Sequence, residues 1–392
     1  MSAATISVQS TSDAQIDDLA FYISRLRGES EDDAPYVKEI QTLMKSDKNS
    51  VYTQLAKDVS ILLTKNDREV EHAFNLTIVI LLGAPEQVLP EAVKALTSSL
   101  SNTESTKTSL KQKILLNLYN ALPTTSALRY DAFLALVNVT AQADDLSSLT
   151  GQLANVDSWV KQWGIDLATE RQLYQHVSEK LDQAGEKKAS LDFLLKKLST
   201  YQTQDDASTE CANQVITRAV ALDTYFSFED LVPCVQPHIK DPNAPAAKLL
   251  DLYLNGNVQA YQAAITDQDD AAGLRKIRLL SLASLGSENL ARELTYGEIS
   301  TALAISEDEV EMWVIDVIRA GLVEAKLDQL NKTVIVHRSI YRVFGKDQWR
   351  QLSERLNTWK NSLNDILAVI GNAKLMTSAV VVEDKSEGVK TH

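Results

Sequence analysis

The side chains in this 392-residue sequence that could bind a metal or transfer protons are histidines, cysteines and paired acidic residues. The two cysteines, Cys211 and Cys234, form no CxxC pair and no disulfide framework. The five histidines are too far apart in sequence to be metal ligands on one helix or loop: His72, His176, His238, His337 and His392.

Catalytic and nucleotide-binding motifs that depend on a fixed spacing are also missing. The sequence has no HExxH, no GxSxG, no GxGxxG and no Walker-type lysine loop. The acidic pairs Asp144-Asp145 and Asp269-Asp270 lie between predicted helices, where carboxylates typically cap helices rather than act as general acids. We therefore predict a protein that is not an enzyme and that binds no cofactor and no metal.

The overall charge of the chain is strongly acidic. Asp and Glu number 53 against 39 Lys and Arg, which gives a formal net charge of −14 and disfavours bulk binding to nucleic acid. The low cysteine count indicates a reducing compartment such as the cytoplasm. Two short basic clusters could contact RNA or could be solvated helix faces, which the net charge favours: Lys107, Lys111 and Lys113, and Arg275, Lys276 and Arg278.

Helical patterns follow one another from about Val51, and glycine and proline are scarce, at 13 and 8. The spacing of roughly forty residues per helix pair, with no shared consensus, predicts an irregular solenoid of the TPR or HEAT type. The fold class is therefore mostly α. We expect these segments: a partly disordered N-terminal segment 1–50, N-terminal helices 51–105, a helical-repeat part 106–286, a winged-helix subdomain 287–345, a C-terminal helix 346–371 and a disordered tail 372–392.

The pattern changes after Gly286, where two helix starts can be identified by their capping residues. Thr295 and Glu298 form a capping box that opens a short helix, Tyr296–Leu303. Ser306 and Glu309 have the same spacing and predict a second box, which opens a helix over 307–320. Gly321 follows that helix at the position where glycine usually ends one.

Two strands are predicted next, Leu322–Asp328 and Thr333–His337, with a turn over 329–332 between them. Together with the helix Leu274–Leu285, the order is three helices followed by a hairpin. This order is typical of a winged helix.

The last helix of this winged helix is acidic on its outward side. Residues 307–319 contain five acidic residues and one base, Arg319, whereas a helix that reads DNA presents basic and amide side chains. Met312 and Ile315 lie among the acids, which predicts a protein partner, or packing against a neighbouring helix of the same chain. Five apolar residues should face the core: Val310, Trp313, Val314, Val317 and Ile318.

The clearest periodicity lies near the C-terminus, from Lys346 to Ile370. Apolar residues form one stripe along this predicted helix. The stripe should pack against this chain's own solenoid or join helices of other chains, and its position at the end of the chain favours partner helices. Beyond Gly371 we expect a disordered tail. The apolar residues recur in alternating steps of three and four: Trp349, Leu352, Leu356, Trp359, Leu363, Ile366 and Ile370.

A helical array, a winged helix and a terminal helix together resemble a PCI domain. The stretches ISEDEVEMWVIDVIRAGLVEAKLDQLNKTVIVHR and FGKDQWRQLSERLNTWKNSLNDI closely resemble the subunit m family of eukaryotic translation initiation factor 3, as do SALRYDAFLALVNV and VDSWVKQWGIDL. The resemblance covers about residues 106–371. One departure is Leu327-Asp328-Gln329, which stands where the family has Ile-Asp-Gln.

The resemblance implies a non-catalytic cytoplasmic scaffold that supports assembly of the 43S pre-initiation complex and recruitment of mRNA. The implied partners are the other PCI and MPN subunits of the factor, and indirectly the 40S ribosomal subunit and mRNA, with no membrane and no small-molecule substrate. In the family, the winged helices associate edge to edge and the C-terminal helices gather into a bundle. The seam Trp349 to Ile370 would then enter the bundle.

The same resemblance implies that the winged helix contributes to a neighbouring PCI subunit's interface. A PCI subunit of the COP9 signalosome, of the subunit seven type, is the alternative within the family. An alternative of another class is a nucleic-acid-binding winged-helix protein, which would lose affinity when Arg275 or Arg278 becomes glutamate. The residues predicted for the winged-helix interface are Met312, Ile315, Leu327, Asp328, Gln329, Val334 and Val336.

Overall fold

The computed structural model describes residues 12–29, 34–64, 67–102, 107–264, 270–289 and 292–386. The chain divides into two compact units, residues 1–218 and 219–392. In the described ranges, no helix is both long enough and apolar enough to cross a membrane.

In its described residues, the first unit contains helices and no strands. Each helix contacts mainly the next helix or the next but one, for example α6 with α7 and α10 with α11, which is the packing of an irregular solenoid. The helices are α1 Ser12–Arg27, α2 Pro35–Ser46, α3 Lys48–Asp58, α4 Asp67–Leu82, α5 Leu89–Asn102, α6 Thr108–Ala121, α7 Leu128–Gln142, α8 Thr150–Leu153, α9 Val156–Trp163, α10 Leu167–Gln183, α11 Lys187–Ser199 and α12 Asp206–Ala221, whose last residues belong to the second unit.

Two of these helices, α1 and α2, precede Val51, where the sequence predicted the helical patterns to begin. Their inward residues, such as Ile16, Leu19 and Ile23 on α1, are fully or almost fully buried. Most of the segment described over 12–50 is therefore helical rather than disordered. The rest of that predicted segment, residues 1–11 and 30–33, lies outside the described residues.

The second unit combines helices with one small sheet. Its described elements include the winged-helix order predicted from the sequence, with one strand, β1, that the sequence did not predict. The elements are α13 Val232–Val235, α14 Pro245–Asn255, α15 Val258–Ala264, α16 Ala271–Glu288, β1 Glu293–Thr295, α17 Tyr296–Leu303, α18 Val310–Arg319, β2 Val323–Asp328, β3 Thr333–Ser339 and α19 Lys346–Ser386.

The sheet is antiparallel with the strand order β1-β3-β2, so β3 is its central strand. Leu294 on β1 and Leu327 on β2 both pair with Val334 on β3. Side chains alternate between the two faces of a strand. Val334 and Val336 therefore point to the same face, and both are buried.

The capping predictions have different outcomes. At Thr295 the capping box is confirmed, because the Glu298 amide donates to the Thr295 hydroxyl and the Thr295 amide donates to the Glu298 carboxylate, at 3.3 and 2.9 Å. The second box is wrong: the Ser306 side chain makes no cap hydrogen bond. A 3-10 turn, Glu307–Glu309, precedes α18 instead. The short turn moves the helix start past the position where the serine could cap it.

Gly321 ends α18 as predicted, with a φ of 72° that suits glycine. Its amide donates to the Ile318 carbonyl at 3.0 Å, and the Leu322 amide donates to the Val317 carbonyl at 3.2 Å. This pair of bonds is a Schellman motif, which satisfies the last carbonyls of the helix. The motif turns the chain from α18 directly into β2.

The terminal helix α19 runs from Lys346 to Ser386, so the predicted end at Gly371 and the predicted disorder immediately after it are wrong. A single glycine lowers helix stability by about 1 kcal/mol. The helix-forming residues that follow it, AKLM, offset this loss. Residues 387–392 of the predicted tail lie outside the described residues.

Candidate protein-interaction surface

No group of three His, Cys, Asp or Glu side chains suited to a metal ion occurs within the described ranges. His176 is half-buried, and its Nε2 is 2.6 Å from the Asn138 side-chain oxygen. Burial lowers the pKa of this imidazole. His176 therefore has a packing role between two helices of the first unit, and the surface residues become the main candidates for function.

The basic cluster at Arg275, Lys276 and Arg278 does not form an exposed patch for RNA. Arg275 pairs with Asp316 at 2.9 Å, and Lys276 is only 3% exposed. The Arg278 guanidinium donates to the Leu303 carbonyl at 3.2 Å and stacks over a tryptophan ring of α18 at 5.2 Å. Lys276 is buried and Arg278 is half-buried against neighbouring elements, whereas Arg275 is exposed. The solvated-face interpretation is therefore wrong for Lys276, and RNA binding stays an alternative prediction.

The lysines of the other basic cluster, in the first unit, are also buried or ion-paired. Lys111 is 2% exposed, and burial lowers the pKa of its ammonium. Lys107 pairs with Asp67 at 2.9 Å and Lys113 with Glu71 at 2.7 Å. Lys107 and Lys113 connect the start of α6 to α4, and with Lys111 buried the three lysines do not form a continuous phosphate-binding surface.

On α18, four of the five predicted core residues are buried, as the 3.6-residue periodicity required. The exception is Ile318, which is 36% exposed, so its assignment to the core is wrong. Met312 and Ile315 are 55% and 42% exposed and do not pack into a helix of the described chain. Ile315 is three residues from each of the others, so the three form a short apolar row on the surface of α18.

The polar residues of the predicted interface form hydrogen bonds within the hairpin and with α18. Asp328 accepts hydrogen bonds from the backbone and side chain of Asn331, at 3.2 and 2.8 Å, and these bonds lower the pKa of its carboxyl. Gln329 donates to Glu311 at 2.9 Å, and the Tyr296 hydroxyl donates to the same carboxylate at 3.1 Å. These bonds shape the tip of the hairpin and fix it to α18.

The valines of the predicted winged-helix interface lie inside the fold. Val334 and Val336 are 2% and 4% exposed, because β3 is the central strand and its inward face packs against the helices. They cannot contact a partner, so their assignment is wrong, whereas Leu327 is half-buried. Leu330, which was not among the predicted interface residues, lies in a tight turn and is 96% exposed.

The predicted seam of α19 is exposed along its whole length in this chain. The exposed fractions of its seven residues run from 39% at Leu352 to 63% at Trp359, so no seam residue is buried. Among the described residues, Trp349 is the only seam residue with an aromatic ring contact. Its ring meets the Phe344 ring edge-on, with the ring centres 5.0 Å apart. Leu367 and Val369, which the seam prediction omitted, are 64% and 68% exposed.

Leaving this seam in water is unfavourable. Full burial of one large apolar side chain contributes about 1.5–3 kcal/mol, so seven half-exposed residues represent on the order of 5–10 kcal/mol of unused stabilisation. An apolar stripe of this length on one helix marks an interaction site. The seam is therefore the strongest candidate for the functional surface of this chain.

The sequence also matches known families at these positions. A family described as eIF3 subunit M, C-terminal helix, matches residues 342–370, which include the complete seam. The PCI domain family matches residues 271–338, from the start of α16 to the end of the hairpin. Both surfaces described above therefore lie in recognised family segments.

Several curated proteins are similar to most of the chain, and each is named eukaryotic translation initiation factor 3 subunit M. The protein of Phaeosphaeria nodorum is 33% identical over 389 residues, which cover 93% of this chain and 88% of that protein. The protein of Dictyostelium discoideum is 32% identical, with 79% and 80% covered. That of Aspergillus terreus is 31% identical, with 82% and 75% covered.

Proposed function

The chain belongs to the family of eukaryotic translation initiation factor 3 subunit M, and from this membership we propose that it acts as a non-catalytic scaffold of that multi-subunit factor. Its work is to hold other subunits in place so that the factor supports 43S pre-initiation complex assembly and mRNA recruitment. The direct partners are other PCI and MPN subunits in the cytoplasm. The 40S ribosomal subunit and mRNA are indirect partners.

The observation that carries the proposal is the exposed seam of α19. A helix with an unbroken heptad stripe and no partner of its own is stable in water only when other helices cover the stripe. The family segment at 342–370 coincides with it. The seam residues are therefore the docking element for helices of other subunits.

The winged helix supplies a second contact. β2 lies at the edge of the sheet, where a strand can pair with a strand of a neighbouring protein. Beside it, the apolar row Met312, Ile315 and Ile318 and the hairpin-tip residue Leu330 offer exposed apolar contacts. We assign these residues, rather than Val334 and Val336, to the interface with a neighbouring PCI subunit.

Aspartate at both Met312 and Ile315 is expected to weaken binding of the neighbouring PCI subunit by roughly ten- to a hundredfold, because two buried contacts become unfavourably desolvated carboxylates. The thermal midpoint should change little, since both side chains are exposed. Co-purification with co-expressed partner subunits measures the effect. The control is Gln259→Asp with Gln262→Asp, at exposed positions three residues apart on α15. Equal recovery of both variants would exclude this face.

The two alternatives are less well supported. A nucleic-acid-binding winged helix would need exposed basic residues, but the candidate bases at 275, 276 and 278 contact other parts of the chain and α18 is acidic. A signalosome subunit would share the architecture, but the similar proteins described above are all named as initiation-factor subunits. The scaffold function within initiation factor 3 is therefore preferred.

A tagged pull-down from cytoplasmic extract at moderate salt, followed by mass spectrometry, tests the proposed function. Recovery of several initiation-factor subunits in near-equal amounts is the expected result. Recovery of signalosome subunits would support the alternative within the PCI family. Recovery of the chain alone would contradict both the initiation-factor and the signalosome functions, and would favour the nucleic-acid-binding alternative.

A further inference from the structure

The heptad register of α19 defines which residues border its seam. Trp349, Leu356, Leu363 and Ile370 are a positions, and Leu352, Trp359 and Ile366 are d positions. In paired helices, the residue before each a position and the residue after each d position face the partner from the two sides of the seam. With the register continued to both ends, these flanking positions are Lys346, Gln348, Ser353, Arg355, Lys360, Ser362, Leu367, Val369 and Lys374.

The charges of α19 are distributed unequally around this seam. Between residues 346 and 374, all four charged residues at flanking positions are basic and none is acidic. The acids of the same stretch, Asp347, Glu354 and Asp365, are all at other positions. This bias opposes the composition of the chain, in which acids outnumber bases by 53 to 39.

Contacts within the chain do not account for Arg355 and Lys360. Arg355 and Lys360 are exposed, and neither forms an ion pair with the described residues. The helix dipole does not account for them either. It favours bases only in the last turn, whereas Lys346 is the first residue of the helix and Arg355 and Lys360 lie in its interior. The remaining explanation for these basic residues is a partner outside the chain.

We propose that the seam of α19 is covered by a partner helix that carries glutamate or aspartate at the positions flanking its own apolar stripe, opposite Arg355 and Lys360. The inference rests on the proposed docking function and specifies the chemistry of the partner. Charges that flank a helical seam select partner and orientation through interhelical ion pairs. An acidic helix would give attractive pairs along both sides of the seam.

A second copy of this chain does not fit the same surface. In a parallel pair, Arg355 of one helix would face Lys360 of the other. In an antiparallel pair, equivalent flanks face each other, and because neither flank carries an acid, no attractive ion pair can form between them. Like charges at these positions are destabilising, and they act against self-association. The basic flanks therefore favour a different chain over a copy of this one.

A membrane surface or RNA also fits less well. A straight helix on a flat surface needs a stripe with a period of about 3.6 residues, whereas a strict seven-residue repeat follows a partner helix that supercoils with it. The α19 seam keeps the seven-residue repeat from Trp349 to Ile370. RNA phosphates could neutralise the bases, but they would leave the apolar seam uncovered.

Two apolar residues occupy flanking positions between Lys360 and Lys374. Leu367 and Val369 occupy flanking positions and are more than 60% exposed. A seam that widens in this way accommodates helices on both sides rather than one partner only. The acidic partner helix is therefore expected beside the first half of α19, around Arg355 and Lys360.

The inference can be tested with three synthetic helical peptides that share a leucine seam and carry glutamate, glutamine or lysine at every flanking position. Binding to the full chain is measured by fluorescence anisotropy at low salt. The glutamate peptide should bind roughly tenfold more tightly than the glutamine peptide, and the lysine peptide more weakly than both. The preference should shrink as added salt screens the charges.

The variant Arg355→Glu with Lys360→Glu should reverse the order of the peptides, because it inverts the flanking charge and leaves the seam intact. Arg350→Glu is the matched control, since Arg350 lies on the opposite side of the helix, and it should keep the original order. Equal affinity for the three peptides would overturn the inference. The inference would also be overturned if the wild-type chain bound single-stranded RNA, or vesicles containing one-quarter phosphatidylserine, and the double variant did not.

Two further measurements separate this inference from the docking function itself. In sedimentation equilibrium, the wild-type chain should show no dimer that is lost when the seam is mutated. Such a dimer would mean that a second copy of this chain, and not an acidic partner helix, covers the seam. In a complex-incorporation assay, Arg355→Glu with Lys360→Glu should reduce recovery. The charge-reversed variant could leave recovery unchanged while aspartates in the seam release the chain. That result would support docking through the seam and would contradict the proposal of an acidic partner helix.

Discussion

Aspartate at both Leu356 and Trp359 is expected to release the chain from its complex while both units remain folded. These residues are 54% and 63% exposed at the centre of the seam, so their replacement removes few contacts within the chain. In a helical bundle, the same change removes two buried side chains, at about 1.5–3 kcal/mol each, and introduces two desolvated carboxylates. Affinity should fall by more than about a hundredfold.

Incorporation is best measured by co-expressing the tagged variant with partner subunits and quantifying what co-purifies. Asn357→Asp with Asn364→Asp is the matched control, because it adds two carboxylates on the side of α19 away from the seam. Circular dichroism and the thermal midpoint establish that both variants are folded. Full incorporation of the seam variant would mean that another surface docks the chain.

Lys276→Met is expected to destabilise the second unit by about 2–4 kcal/mol. The Lys276 ammonium is buried, and it donates to the carbonyls of Ala219, Val220 and Leu222 at 2.8, 3.1 and 2.8 Å. These carbonyls end α12 and would lose their charged donor. The ammonium also lies 4.7 Å from the centre of the Phe228 ring, a cation–π distance. Methionine keeps the volume but satisfies none of these acceptors.

Urea unfolding of the full chain, followed by tryptophan fluorescence, measures this difference in the free energy of unfolding. Lys248→Met is the control, because Lys248 is exposed on α14 of the same unit. Its loss should change stability by less than about 0.5 kcal/mol. A similar small effect at Lys276 would mean that water can replace the ammonium at the end of α12.

The contribution of Lys276 should also depend on pH. Burial lowers the pKa of Lys276 to about 8, whereas an unfolded lysine titrates near about 10.4. Between these values the unfolded chain binds more protons than the folded chain, so this residue's contribution to stability rises with pH. The stability difference between wild type and Lys276→Met should therefore increase from about pH 8 to about pH 10. A constant difference over this range would contradict the lowered pKa.

Local patterns were sufficient to predict several elements of the architecture. The capping box at Thr295 and the stop at Gly321 depend on hydrogen bonds within a few residues, and both are confirmed. The seam of α19 follows from helical periodicity alone, and it lies on one helix as predicted. Each of these features depends on residues that are neighbours in sequence, so the sequence alone was enough to define them.

The surfaces depended on contacts between distant segments. A sequence shows that Val334 and Val336 share a face, but only the position of β3 between β1 and β2 decides that this face is buried. The bases at 275 and 276 had the spacing of a surface cluster. Asp316, 41 residues further along the chain, and the end of α12, 57 residues before Lys276, determine what they contact.

The sequence by itself determined a mostly helical chain with a winged helix, an acidic α18 and a heptad seam, because these properties repeat with the period of one helix or strand. Tertiary structure decided which apolar residues remain exposed and which charges remain free. It buried Lys276 and both valines, and it exposed Met312 and Leu330. Burial depends on packing between segments distant in sequence, and no local period encodes it.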